Sequence, residues 1–212
     1  MKKTQKVNEI IKVFGALYPS AKTSLDYEDP LQLLVSTQLS AQCTDQRVNI
    51  VAKSLYKKYD SIDSFADAEL KKLEEEIKPT GFYHNKAKNI KNCCIMIIEK
   101  FEGKIPDNLE DMLKLPGVGR KTANLFLSDI YGIPGIVVDT HARRLSQRIG
   151  LTKNNNPDKI EKDLMKIVPK EKWNTFCHQL VWHGRRVCKA RRPDCSNCEI
   201  FDYCDKKGVS NY

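Results

Sequence analysis

A break in the middle of the chain constrains the fold most. Residues 115–119 read Leu115-Pro116-Gly117-Val118-Gly119, and no helix runs through them, because proline lacks an amide proton and glycine favours a turn. Before the break, residues 107–114 read as a short helix capped by Asp107. A second helix starts near Arg120, so residues from about 107 to 131 form a helix–hairpin–helix. Gly117 and Gly119 let backbone amides approach an anion with no Cβ in the way, and the following helix adds its positive end. Ala123, Phe126, Leu127 and Ile130 share one face at helical spacing, with Lys121, Asn124 and Ser128 opposite. From this unit alone, a solvated lysine or a phosphate contact is the favoured reading of Lys121.

The rest of the chain follows the same period. Apolar residues at 7, 10, 11, 14 and 17 mark a helix that stops at Pro19, and Asp29-Pro30 opens a second. Thr44 caps a third, and Leu70, Leu73 and Ile77 mark a short one closing at Pro79. A long helix follows the turn at residues 80–85 and stops at Gly103. Beyond the hairpin unit, Ile136-Val137-Val138 is a short extended piece, Asp139 caps a helix, and two more helices follow Asn156-Pro157. No alternating strand of convincing length occurs, so the fold is all-α, with roughly ten helices.

The net charge of +9 over 212 residues favours a polyanionic partner. Aromatic residues are too few, at 8%, to suggest a platform for stacking single-stranded bases. No apolar run is long enough to span a bilayer, and the Lys-rich start lacks a signal-type segment, so no membrane role is expected. The expected setting is soluble and intracellular.

Four of the eight cysteines, Cys188, Cys195, Cys198 and Cys204, give C-x6-C-x2-C-x5-C. Such a loop can enclose a tetrahedral Zn²⁺ or an iron–sulfur cluster. Zinc ribbons usually pair two close C-x2-C knuckles. Only one pair is close here, so spacing favours the larger cubane over zinc, with disulfides last. Lys189, Arg191 and Arg192 lie between the first two cysteines, after Arg185 and Arg186. A metal-pinned basic loop presents cations to phosphates with little ordering cost, and DNA contact is favoured over a solvated charge run. Cys43, Cys93, Cys94 and Cys177 read as small core residues, and His178 and His183 receive no role.

The hairpin with Lys121, the Val138-Asp139-Thr140-His141 segment and the four-cysteine loop together resemble the endonuclease III family of helix-hairpin-helix DNA glycosylases. The similarity runs from about Asn8 to Cys204. It implies a [4Fe–4S] cluster on Cys188, Cys195, Cys198 and Cys204. It also implies a six-helix barrel domain over residues 23–133 and a cluster domain from residues 1–22 and 134–212. DNA would lie across the cleft between them, with Lys121 and Asp139 at its mouth. The implied enzyme is a monomer in the cytoplasm, associated with the nucleoid of a bacterium or archaeon.

The resemblance further implies a substrate, duplex DNA holding an oxidised pyrimidine or an abasic site. By similarity, Gln42 fills the gap left by the extruded nucleotide, and Phe82 stands where relatives often carry a leucine wedge. Gly117, Gly119, Arg120 and His141 are further candidate DNA contacts. A neutral Lys121 amine would attack C1′ and form a Schiff base, after which β-elimination cuts the strand 3′ to the lesion. Asp139 would stabilise charge developing on the sugar. Its bland reading, a plain helix cap, is equally strong on sequence alone, and for His141 a structural role weighs as much as a contact.

Three rivals remain. An adenine glycosylase of the same superfamily generally lacks the hairpin lysine and carries a further C-terminal domain, whereas this chain has Lys121 and ends eight residues after Cys204. A uracil or thymine mispair glycosylase on the same scaffold differs only in pocket residues. A non-catalytic, metal-stabilised DNA-binding module would make Lys121 and Asp139 incidental.

Overall fold

The computed structural model describes residues 2–210, and every regular element among them is helical. The backbone divides into two compact units. One is Ser24–Ile133; the other joins the chain up to Thr23 to the chain from Pro134 onward.

The central unit is built on α2 (Pro30–Leu39), in which every residue from Leu33 to Leu39 is buried. A helix buried on all sides sits inside its domain. Asp29 starts it, accepting from Gln32 N at 2.9 Å, with Pro30 in the first turn. Around it lie α3 (Asp45–Lys58), α4 (Ile62–Asp67), α5 (Leu70–Ile77), α6 (Tyr83–Phe101), α7 (Leu109–Met112) and α8 (Arg120–Tyr131). Leu33, Leu39, Leu55, Phe65, Ile90 and Phe126 anchor one continuous core. The α6 helix packs on α4 and α5, and α8 packs on α2.

Three local expectations change here. Residues 62–67 are helical although the apolar period is too short to reveal it; Ser61 and Ser64 form a capping box that holds α4. The short helix before the hairpin is capped by Asn108, not Asp107, with Asn108 Oδ1 accepting from Asp111 N at 2.9 Å. Asn124 and Ser128, expected on a solvated face with Lys121, are 7% and 5% exposed.

The second unit holds α1 (Lys3–Leu17), α9 (Thr140–Ile149), α10 (Pro157–Met165) and α11 (Trp173–Arg186). The described chain thus has eleven α-helices and three short 3₁₀ turns, slightly above the number expected. Val7, Ile10, Phe14, Leu145, Phe176 and Leu180 are fully buried. In the central unit Cys43, expected in the core, is only half-buried. No described helix is long and apolar enough to cross a membrane.

The C-terminal segment docks on the end of α9. Asp205 N donates to Ile149 O at 3.3 Å, and Lys207 N to Arg148 O at 3.1 Å. Lys6 of α1 donates to Ile149 O at 3.0 Å and pairs with the Asp205 carboxylate, which it holds below the usual carboxylate range. Gly150 ends α9 at φ +88°, and a Cβ there would stand 1.9 Å from Asp205 Oδ2. Gly150→Ala therefore both strains the backbone and pushes Asp205 off Lys6. It is expected to cost roughly 1–3 kcal/mol, read as a lower thermal midpoint. An unchanged midpoint would mean that Asp205 is not held against α9.

Candidate functional site

The hairpin hangs from two buried side chains, Leu115 and Val118, while Gly117 and Gly119 face solvent. Leu115 N donates to Met112 O and Val118 N to Leu115 O, which closes the turn. Gly117 adopts φ +77°, and a Cβ on it would meet Gln38 Oε1 at 2.4 Å and Asn89 Cβ at 2.9 Å. Both conformation and space therefore demand glycine. Gly119 is the N-cap of α8 and supplies no capping side chain, leaving the helix start suited to an anion. Lys121 is exposed at the second position of α8, beside half-buried Arg120.

Two neighbouring turns of the same unit present the other candidate contacts. Gln42 is exposed at φ +54°, and Phe82 is 61% exposed at φ +49°. A non-glycine residue in this region costs of order 1–3 kcal/mol, and such strain clusters at functional positions. Both turns are tied to one buried cation. Lys86 Nζ donates to Leu39 O and to Thr80 O, each at 2.8 Å, and burial lowers its pKa. It thereby fixes the end of α2 to the turn before α6. Gln42, Phe82, Lys86, Asn89, Gly117 and Gln38 share the wall of one cavity of about 160 Å³.

In the second unit, Asp139 caps α9, its Oδ1 accepting from Ala142 N at 2.7 Å. The preceding Val137 is buried and donates its amide to Cys177 Sγ at 3.3 Å; burial pushes that thiol up to about 12. His141 is half-buried, with Nδ1 3.2 Å from Arg144 Nη2, and burial is the main cause of its lowered pKa.

Further along α9, two arginines one turn apart grip the cysteine loop. Arg144 donates to Gly184 O and Cys188 O, each at 2.9 Å. Arg148 donates to Lys189 O at 2.7 Å, Ala190 O at 2.9 Å and Cys188 Sγ at 3.4 Å. Lys189, Arg191 and Arg192 between the cysteines stay exposed, with Arg192 at φ +51°.

Cys188, Cys195, Cys198 and Cys204 all line one cavity. Among the described residues no three His, Cys, Asp or Glu side chains are grouped as around a single metal ion. Donors aim at the sulfurs. Beside Arg148 on Cys188, Lys206 N donates to Cys204 Sγ at 3.3 Å, and His183 Nε2 lies 3.5 Å from Cys198 Sγ. His183 is fully buried, with Nδ1 3.0 Å from Tyr18 Oη, and burial pushes its pKa down to about 4. With the tyrosine donating to Nδ1, a neutral ring points its N–H at the sulfur. Burial also lifts Cys198 to about 11 and raises Cys195 and Cys204. A cationic centre is what holds such thiols as thiolates, and this donor set fits an iron–sulfur cluster.

His183, given no role from sequence, reaches a cysteine here, and nothing in the sequence singled out Arg144, Arg148, Lys86 or Gln38. The i, i+4 spacing of the two arginines ahead of a cysteine loop was a usable signal. Lys86, within Asn85-Lys86-Ala87-Lys88, looks like any surface lysine.

Comparison with known proteins agrees with this geometry. Residues 35–170 match the HhH-GPD superfamily base excision DNA repair protein family, and residues 188–204 match the iron-sulfur binding domain of endonuclease III. The chain is 49% identical over 209 residues to endonuclease III of Synechocystis sp., covering 98% of this chain and 95% of that one. Two solved structures, a non-covalent endonuclease III–DNA complex and a trapped covalent endonuclease III–DNA intermediate with an estranged adenine, each superpose with TM-score 0.93 at 40% identity, covering 97% of both chains. With its hairpin, its helix-capping Asp139 and its four-cysteine cavity, the chain belongs to the HhH-GPD superfamily, and within it to the endonuclease III family of iron–sulfur DNA repair enzymes.

Proposed function

We propose that this enzyme is a DNA glycosylase and abasic-site lyase that removes oxidised pyrimidines from duplex DNA, with Lys121 as nucleophile and Asp139 as its electrostatic partner. The carrying observation is Lys121 itself, an exposed amine at the start of the hairpin's second helix. A relative 40% identical has been trapped covalently on DNA, and a lysine is the residue that makes such a bond with a sugar carbon.

The damaged nucleotide leaves the stack at a cost of roughly a few kcal/mol, less where the lesion already weakens pairing. Gln42 and Phe82 occupy the space it leaves. The neutral Lys121 amine attacks C1′, the N-glycosidic bond breaks, and the base departs with the bonding pair and takes up a proton. Asp139 stabilises positive charge as it develops on the sugar. Ring opening gives an imine on Lys121. Loss of a C2′ proton then expels the 3′ phosphate, so the strand is cut 3′ to the lesion.

The [4Fe–4S] cluster, held by Cys188, Cys195, Cys198 and Cys204, pins the basic loop and takes no part in these bond changes. Lys189, Arg191 and Arg192 then contact phosphates, with Arg120 and the amides around Gly117 and Gly119 gripping the backbone near the lesion. His141, packed against Arg144, orients the start of α9. The enzyme acts as a monomer on chromosomal DNA in the cytoplasm.

Borohydride reduction during turnover on a thymine glycol duplex should leave a covalent protein–DNA adduct on a denaturing gel, absent in Lys121→Gln. Asp139→Asn keeps a capping side chain, so its fold and DNA affinity should persist while turnover falls by about 10² or more. Equal turnover in that variant would leave Asp139 with capping alone. Base release without an adduct would instead mean a water nucleophile.

The loop carries a separate expectation. Replacing Lys189, Arg191 and Arg192 by alanine should weaken binding to damaged and undamaged duplex alike. The slope of log affinity against log salt should flatten by about one for each phosphate that the loop no longer neutralises. An unchanged slope would remove these cations from the interface.

A further inference from the structure

Gln38 has no use in the chemistry above, and its surroundings give it no satisfaction. It lies in the last turn of α2, is 5% exposed, and its Nε2 and Oε1 are both buried with no nitrogen or oxygen partner. What the amide meets is the Cys93 thiol, a weak hydrogen-bonding group that burial pushes up to about 12 and that its bond to Gln38 draws back down. Leaving a buried amide unanswered is destabilising, and an apolar side chain of similar size would fill the place better. Position 38 therefore holds a polar group at a cost to the free protein.

The amide borders the cavity of about 160 Å³, whose rim carries Gln42 and Phe82 and whose wall includes Asn89 and Lys86. Lys86 is already committed to two carbonyls. The groups left to meet a ligand are amides, each offering a donor and an acceptor side by side. That pairing matches the edge of a nucleobase, as in bidentate contacts of Gln or Asn with adenine. Gly117 closes the pocket without a side chain, since a Cβ there would strike Gln38 Oε1 at 2.4 Å.

We infer that this pocket receives the undamaged base left without a partner when the lesion is extruded, and that Gln38 reads its hydrogen-bonding edge. Gln42 and Phe82 enter the duplex from its rim, so the orphaned base is the nucleobase nearest to it, and that base has just given up its own hydrogen bonds. The pocket thus sets which base opposite the lesion is preferred. This assignment rests on the reading of the chain as a base-extruding glycosylase.

The test is binding of the full-length, cluster-containing protein to duplexes holding a tetrahydrofuran abasic analogue opposite each of the four bases. Wild type should show a spread in affinity of about tenfold or more, the scale of one bidentate base contact. Gln38→Leu should compress that spread to about twofold or less, with a thermal midpoint unchanged or raised because the unsatisfied amide is gone. Gln38→Glu, which accepts but cannot donate, should shift the order of preference toward bases that present a donor. Equal spread in wild type and Gln38→Leu, no spread in wild type, or a uniform drop across all four bases would overturn the assignment and leave Gln38 beside trapped water. Borohydride trapping on the same duplex set with true abasic sites reports the lyase reading separately. A Gln38-dependent spread without an adduct would keep the pocket and remove the lyase.

Discussion

The contact on which the candidate site of the central unit depends is the approach of the hairpin to within a Cβ's width of α2 and α6. Gly117 lies so near Gln38 and Asn89 that no other residue fits. That closeness brings three segments distant in sequence to one cavity: the end of α2 with Gln42, the turn before α6 with Phe82, and the hairpin with Lys121 close behind it. Lys86 fastens the first two from beneath through Leu39 O and Thr80 O. A lysine can be buried on these terms because two carbonyls, both left over at the ends of regular segments, answer its charge. The strained backbones of Gln42 and Phe82 persist because the segments on either side are fixed in this way.

The second unit is organised by one ten-residue helix, α9. Its first turn is capped by Asp139, its middle and last turns carry Arg144 and Arg148 onto the cysteine loop, and its end at Gly150 receives Asp205, the residue after the last cysteine. The carboxylate assigned to catalysis and the loop assigned to phosphate binding are therefore parts of one rigid element. A cluster on the four cysteines proposed to hold it, 49 to 65 residues beyond Asp139, would brace the same helix through the loop that Arg144 and Arg148 bind. This gives the iron–sulfur group a use that needs no redox step.

How much of this was legible beforehand depended on the kind of signal. Helices with full apolar periods and strong caps, such as those opened by Asp29-Pro30, Thr44, Asp139 and Asn156-Pro157, appear where the sequence places them. The α4 helix was missed because six residues give fewer than two turns of period, and the shift of a cap from Asp107 to Asn108 turns on one residue between two good capping types. The four cysteines announce a metal group by spacing. What surrounds the sulfurs does not, because Arg148 and His183 reach them from other helices and only tertiary packing brings them there. Asn124 and Ser128 show the opposite failure, polar residues that periodicity puts outside and the fold buries.

Asp139 shows why two readings of equal weight need not compete. A cap fixes one carboxylate oxygen on the amide of Ala142 and leaves the other free to face a substrate, so the helix start both orients the group and limits its rotation. A catalytic carboxylate needs that same restraint, since electrostatic stabilisation works only when the charge is in place before the sugar becomes cationic. The capping preference of aspartate is then the means by which the sequence positions the group. Gln38 is the converse case, a side chain whose structural position costs stability and whose presence is explained by what enters the cavity beside it.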